Sequence, residues 1–354
     1  MAQQFSFDRP QTLGPLHLRN GYCLAPLETR TALFDGEVGR DDCYFHREHA
    51  RHVGLDIVGS IYVHASGATV TGSLSAADDA MIPGLRRLTA AIHASGARAV
   101  GQLVHAGRMT NHVATNGAPV VGPSAVRAAH GVVEMPHALT RAEVLAIVDQ
   151  FGAATQRLIL AGFDGVELHG ANSFLLQQFL SPLSNRRTDD FGGDLLNRVR
   201  LPLLVVQRVL QVAKQARQPF VVGYRLSPEE VEPGGLQLLD TLMLSRLLAQ
   251  LPIDYLSLSL HHYDQTAQTS AATAPVRRLF KTQIGNLPLM VAGEIARAAD
   301  VQRLDQQVAF LAIGRQLMLN PQWPVAFRFP AALHTAAELS AERVGLPQAI
   351  FKYL

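Results

Sequence analysis

Eight short apolar runs recur along the chain, with amphipathic stretches between them. They are GYCLAPL (21–27), DIVGSIYV (56–63), ARAVGQLV (97–104), FDGVELH (163–169), FVVGYRLS (220–227), DYLSLSL (254–260), LPLMVAG (287–293) and VAFLAIG (308–314). Runs of this length suit strands buried on both faces. The clearest helical stretch is Arg141 to Leu160, where Val144, Ile147, Val148, Phe151, Ala154 and Leu158 recur at helical spacing. Thr140 followed by Glu143 reads as a capping box at its start. A second helix is expected over 195–213, kinked or restarted at Pro202. Eight strands with intervening helices predict an α/β chain, its parallel sheet closed into a single (β/α)8 barrel with loop insertions at the C-terminal face. The rival is an open doubly wound sheet, which prefers fewer strands and a Gly-rich phosphate turn. No G-x-G-x-x-G occurs here. With 354 residues and 48% apolar content, residues 1–354 are expected to form one such domain.

Composition removes several function classes. A net charge of +2 argues against a dedicated nucleic-acid surface. No apolar run reaches the roughly 18 residues of a membrane span. The opening MAQQFSFDRP has an early Asp and no apolar core, so no signal peptide is expected. Cys23 and Cys43 are the only cysteines, too few for an iron–sulfur cluster or a Cys-rich zinc site. They read as reduced thiols of a cytoplasmic protein. Lysine occurs only at Lys214, Lys281 and Lys352, none at the end of an expected strand, which disfavours Schiff-base and pyridoxal chemistry. HREH (46–49) lacks the H-E-x-x-H pattern and is expected on a solvated helix face. The polar stretch 261–275 is expected to be a mobile loop.

In a barrel of this kind, function sits where the strands end. Those ends carry Ala25, Pro26, Leu27 and Glu28; Ser60; Gln102 and His105; His169 and Asn172; Arg225; Ser257 and Ser259; Gly293 and Glu294; Gly314 and Arg315. The loops after the seventh and eighth strands commonly build a phosphate site, where Gly lets backbone N–H groups approach the anion. Arg315 would add a charged fork. These ends suggest a phosphorylated ligand whose polar head lies across the barrel mouth. After the fourth run comes HGANSFLLQQFLSPLSNRRTDDFGG, a long irregular insertion of the kind that is usually functional.

That insertion, with LGPLHLRNGYCLAPLETR, GQLVHAGR, ALTRAEV and AIGRQLMLNPQWP, resembles the Old Yellow Enzyme family of FMN-dependent NADH:flavin oxidoreductases and ene-reductases. The resemblance covers nearly the whole chain. It implies tightly bound FMN, NADH or NADPH as transient hydride donor, and a small unsaturated carbonyl or quinone as acceptor. It implies that Ala25, Pro26, Leu27 and Glu28 line the flavin ring and that Ser60 lies under it. Gln102 would meet the pyrimidine edge and Arg225 the N1–O2 side. Gly293, Gly314 and Arg315 would cradle the phosphate, with Glu294 beside them. His169 and Asn172 match the pair that binds a substrate carbonyl oxygen. Two donors on that oxygen stabilise charge that appears mainly in the transition state.

Two positions depart from the family's usual pattern. Phe174 stands where many relatives carry a proton-donating Tyr, so the chain must forgo that donor, draw the proton from solvent, or use another group such as Tyr263 or His262. Glu28 stands where relatives often carry Thr or Cys. Either its carboxylate faces the ring, or it points away and Thr29 fills in. His105 is expected to orient a loop and SNRRTDDFGG to pack against the barrel. From the lack of further cysteines and the length, no iron–sulfur site or second nucleotide-binding domain of the larger relatives is expected. The alternatives are a flavin reductase acting on quinones or nitro compounds, and a flavin-binding protein with little turnover. Self-association is left open.

Overall fold

Each apolar run contains a strand in the computed structural model, which describes residues 4–129, 131, 134–329 and 333–335. The strands are β1 (Tyr22–Leu24), β2 (Leu55–Tyr62), β3 (Arg98–Val104), β4 (Gly165–Gly170), β5 (Val221–Leu226), β6 (Tyr255–Ser259), β7 (Leu289–Ala292) and β8 (Phe310–Ile313). All neighbours are parallel, and β1 pairs with both β2 and β8, so the sheet closes. The expected (β/α)8 barrel is the observed fold. Lys352 and the last part of the expected domain, 336–354, lie outside the described residues.

Alternation along each strand divides the core into two layers. Cys23, Leu55, Ile57, Val100, Val221, Tyr255, Met290 and Phe310 fill the barrel interior. A hairpin, Gln11–Leu13 with Leu16–Leu18, adds Leu13, Leu16 and Leu18 to that interior. The intervening residues, such as Leu24, Val58, Leu103, Val166 and Leu256, pack outward against helices. Burying each such side chain is worth roughly 1.5–3 kcal/mol. The main helices are α1 (Arg40–His49), α2 (Ile82–Ala94), α3 (Arg141–Leu160), α4 (Arg200–Ala213), α5 (Leu238–Leu248), α6 (Val276–Ile284), α7 (Ala298–Leu304) and α8 (Arg315–Leu319).

The capping box of α3 is formed: Thr140 N–H donates to Glu143 at 2.7 Å, and Glu143 N–H to Thr140 Oγ1 at 3.3 Å. The 195–213 stretch breaks at Val199 into Leu195–Arg198 and α4. The restart falls ahead of Pro202, which occupies the first turn of α4, where a missing N–H costs no helical bond. One expectation is overturned. His46 and His49 of HREH are buried, with only Arg47 well exposed. Asp56 points outward from β2 and needs a partner in the apolar layer, and His46 Nδ1 supplies it at 2.8 Å. His49 bonds the carbonyls of Phe45 and Met318.

The irregular stretch 261–275 is anchored through Gln268 and Thr269, whose backbone N–H groups each donate to Glu229 at 2.8 Å. In SNRRTDDFGG, Asn185 Nδ2 donates to the carbonyls of Phe179 and Phe191, and Arg187 to that of Pro123. That segment packs on the barrel as expected. Among the described residues, no helix is long and apolar enough to cross a membrane.

Candidate active site

Strand register brings the central polar groups together. Gln102 lies beside Glu167 across β3–β4, and His169 beside Arg225 across β4–β5. Gln102 Nε2 donates to Glu167 Oε1 at 2.7 Å, which leaves Gln102 Oε1 as an acceptor. Burial pushes the Glu167 carboxyl above its usual range, opposed by the charge of Arg225 and the Gln102 bond. Arg225 is buried and donates Nη2 to Ser259 Oγ at 3.1 Å. Its Nε and Nη1 have no protein partner. Buried guanidinium N–H groups without acceptors are costly, so these two suit a ligand edge rich in acceptors. A flavin pyrimidine edge offers that chemistry: N1 and O2 for Arg225, and N3–H for Gln102 Oε1. The residues present therefore fit the ring of FMN.

Above this layer stand two N–H donors. His169 Nδ1 accepts from the Ala171 N–H at 3.3 Å, so the neutral ring carries its proton on Nε2. Burial, then the charge of Arg225, holds the His169 pKa well below the usual value, and the ring stays a neutral donor. Asn172 is exposed at the mouth. Its Oδ1 accepts from Ser259 Oγ at 3.0 Å, which leaves Nδ2 to donate elsewhere. Asn172 and Ser173 both adopt left-handed backbone, with φ of 56° and 61°. That conformation is uncommon outside glycine. A clamp holds it: Asn172 N–H donates to Ser227 Oγ at 3.0 Å and Ser173 N–H to Gln177 Oε1 at 3.1 Å, while Gln178 Nε2 donates to the Ser173 carbonyl at 2.7 Å. Phe174 is half-buried, edge-on to His169 with ring centroids 4.8 Å apart, and packs on Tyr62, Ala68 and Val104.

Glu28 faces Ser60, and the alternative with Thr29 in its place is not what forms. Ser60 Oγ and Thr69 Oγ1 both donate to Glu28 Oε2 at 2.6 Å. Thr29 is buried and donates instead to Asp42 at 3.2 Å. Burial raises the Glu28 pKa against the two hydroxyl bonds and the charge of Arg30.

A cavity of about 690 Å³ opens on the other side of Arg225. Ala25, Pro26, Leu27, Arg225, His262, Gly293, Glu294, Gly314 and Arg315 line it, whereas Glu28, Ser60, Gln102, His169, Asn172 and Phe174 do not. Gly314 opens α8, whose first N–H groups have no partner within the helix. Arg315 Nη2 already donates to Glu294 Oε1 at 2.8 Å, both side chains being exposed. A carboxylate accepts only, so Glu294 can serve an anion there only by orienting Arg315. Gly293 has a steric reason for being glycine: φ is 152°, and a Cβ would lie 2.8 Å from Tyr263 N.

The model of the NADH:flavin oxidoreductase / NADH oxidase family matches residues 7–329. The chain belongs to that family. A Klebsiella pneumoniae (strain 342) relative named NADH:fumarate oxidoreductase is 36% identical over 313 residues, covering 86% of this chain and 34% of the relative. The chain thus spans about a third of that protein's length. A probable NADH-dependent flavin oxidoreductase of Bacillus subtilis (strain 168) is 37% identical over 312 residues, covering 87% of this chain and 83% of its own. Among solved structures, morphinone reductase is similar with a TM-score of 0.82 and 29% identity, covering 94% and 92% of the two chains.

Within this family's frame, some sequence expectations need correction. Tyr263 is buried and its hydroxyl proton is already given to Asp300 at 3.1 Å, which leaves His262, of the two, open to the cavity. His262 is exposed on the cavity wall, stacked on Tyr263, with Nδ1 accepting from Asp264 N–H. His105 orients its loop: Nδ1 accepts from Gly107 N–H at 3.1 Å, and the other nitrogen meets Ser66 Oγ at 3.1 Å. Glu167, Gln177, Gln178 and Ser227 were not singled out from sequence. A carboxylate inside the apolar run FDGVELH was the available signal for Glu167.

Proposed function

We propose that this family member reduces the activated C=C bond of α,β-unsaturated carbonyl compounds, with FMN at the barrel mouth and NADH or NADPH as electron source. The observation that carries the reading is the donor pair. His169 and Asn172 each have one side-chain atom tied back and one N–H left to point outward, beside a buried Arg225 with two unpartnered nitrogens. When bound, FMN supplies two-electron transfer from the nicotinamide to the acceptor.

His169 Nε2–H and Asn172 Nδ2–H hold the substrate oxygen, where negative charge grows as the β-carbon is reduced. Arg225 would hold the negatively charged edge of the bound cofactor, and Glu167 keeps Gln102 Oε1 free to accept from it. Gly314, Arg315 and the start of α8 take the phosphate. Phe174, Tyr62, Ala68 and Val104 supply an apolar wall next to His169. The α-carbon proton comes from solvent or from His262.

Phe174 favours a second acceptor class. It has no proton to give, and quinones or nitro compounds need none at carbon. The test is a comparison of alkene turnover and ligand titration in the FMN-loaded parent and a His169→Ala/Asn172→Ala variant. Losing one oxyanion donor typically costs roughly 10²–10³ in rate. The double variant is expected to lose at least that for an enone while keeping its flavin. Unchanged titration and turnover would exclude the pair, and a protein that cannot take up FMN would exclude the whole reading.

A further inference from the structure

Ser259 ends β6 and touches neither substrate nor cofactor in the reading above. Its hydroxyl lies between two groups that do: Arg225 Nη2 at 3.1 Å and Asn172 Oδ1 at 3.0 Å. A guanidinium can only donate. The Ser259 oxygen therefore accepts from Arg225, and its single proton is directed at Asn172. Ser227 acts from the end of β5 in the same sense. It accepts the Asn172 backbone N–H at 3.0 Å, and its own proton faces Oδ1 at 3.5 Å.

Two hydroxyl protons thus converge on one side of the amide. Only the carbonyl end can receive them. Turned over, the amide would present N–H donors, which the two hydroxyls could meet only by swinging their protons away and each accepting a second bond, so the carbonyl would lose both of its donors. The left-handed backbone at residue 172 places the Cα but does not choose between these two orientations, and the side chain is exposed, so packing does not choose either.

We infer that Ser259 is a positioning residue that fixes the Asn172 amide with Nδ2 toward the substrate oxygen. This rests on the donor role proposed for Asn172. Without the hydroxyl, the amide can rotate and present its carbonyl to an oxyanion, which repels it.

The probe is 4-hydroxybenzaldehyde, whose phenolate is a planar oxyanion like an enolate, titrated into the FMN-loaded protein and followed by flavin absorption. Ser259→Ala should weaken binding about tenfold, the worth of one hydrogen bond to a charged group. Ser259→Thr keeps the hydroxyl and should bind like the parent. In an Asn172→Ala background, Ser259→Ala should add nothing. The flavin midpoint potential, read in parallel, should not move with Ser259→Ala.

If Asn172→Ala alone leaves phenol affinity unchanged, the donor role of Asn172 fails and this inference with it. If Asn172→Ala weakens binding but Ser259→Ala does not, the donor role stands and the inference is overturned. An equal loss from Ser259→Ala in both backgrounds, or a shifted potential, would show that the hydroxyl acts through Arg225 and would also overturn it. Loss of flavin from Ser259→Ala would do the same.

Discussion

Glu28 is a carboxylate held by two hydroxyls, and two opposed effects act on it. Burial favours the neutral acid, while Ser60 and Thr69 donate to one oxygen and favour the anion. The balance leaves its pKa raised. In the reading proposed above, a negative charge there above that pKa would make flavin reduction harder. Glu28→Thr is expected to raise the midpoint potential, by about 1 kcal/mol or on the order of 20 mV for a two-electron couple. The difference should shrink as pH falls and the parent carboxyl takes up its proton. Potentials measured at two pH values check both the sign and the trend. At Phe174 the argument concerns a proton. The ring sits against His169, where a hydroxyl could reach a bound acceptor. General acid catalysis is worth roughly 10²–10⁴ in rate. Phe174→Tyr should speed weakly activated alkenes by up to that factor and leave quinone reduction nearly unchanged. Equal effects on both acceptor classes would mean that the ring only shapes the pocket.

At the scale of elements, the site depends on the short helix Leu175–Leu180, whose Gln177 and Gln178 hold the left-handed turn at Asn172 and Ser173. Gln178 is shared. It also accepts from Arg108 N–H and donates to the Ala106 carbonyl, so the loop after β3 supports the turn after β4. Gly107 lies between them at φ 61°, and a Cβ there would come within 2.2 Å of Gln178 Oε1. Gly107→Ala is therefore expected to displace Gln178, release the turn and weaken phenol binding about tenfold, with FMN retained. Titration and flavin content together check it, and an unchanged affinity would show that the turn holds without Gln178. This dependence explains what was legible in the sequence. The strands were, because burial on both faces leaves continuous apolar runs. The α3 cap was, because it is local. His169, Asn172 and Arg225 could be located because strand ends converge by topology. The clamp was not, because Gln178 to Ala106 joins residues 72 apart. The burial of His46 was not, because its partner Asp56 lies on another element, and that of His49 was not, because it reaches the distant Met318 carbonyl. Nor could the burial of Tyr263 be read from spacing, since its partner Asp300 lies on α7.

At the scale of the whole molecule, buried imidazoles make stability depend on pH. His49, His105 and His169 are all held below the ordinary value, chiefly by burial. For His105 the value falls to about 3, lowered by burial and then by His64. The unfolded chain binds this proton near pH 6.5, whereas the folded chain does not bind it until about pH 3. Stability from His105 is thus complete above pH 6.5 and is lost as pH falls below it. At pH 5 the loss from this residue alone is on the order of 2 kcal/mol. Other groups oppose the trend. Burial pulls the His46 pKa down, but Asp56 outweighs it and the net shift is upward, while Glu28 and Glu167 are also raised, so these three lose stability as pH rises. A bare pH profile mixes both sets, and a variant separates them. His105→Gln keeps an acceptor for Gly107 N–H and a donor for Ser66, but cannot be protonated. Urea unfolding with saturating FMN at pH 7.5 and pH 5 should show the parent losing about 2 kcal/mol more than the variant between the two. Parallel losses in both proteins would mean that His105 takes up its proton in the folded state near its ordinary pKa, and that its burial between Gly107 and Ser66 does not keep it neutral.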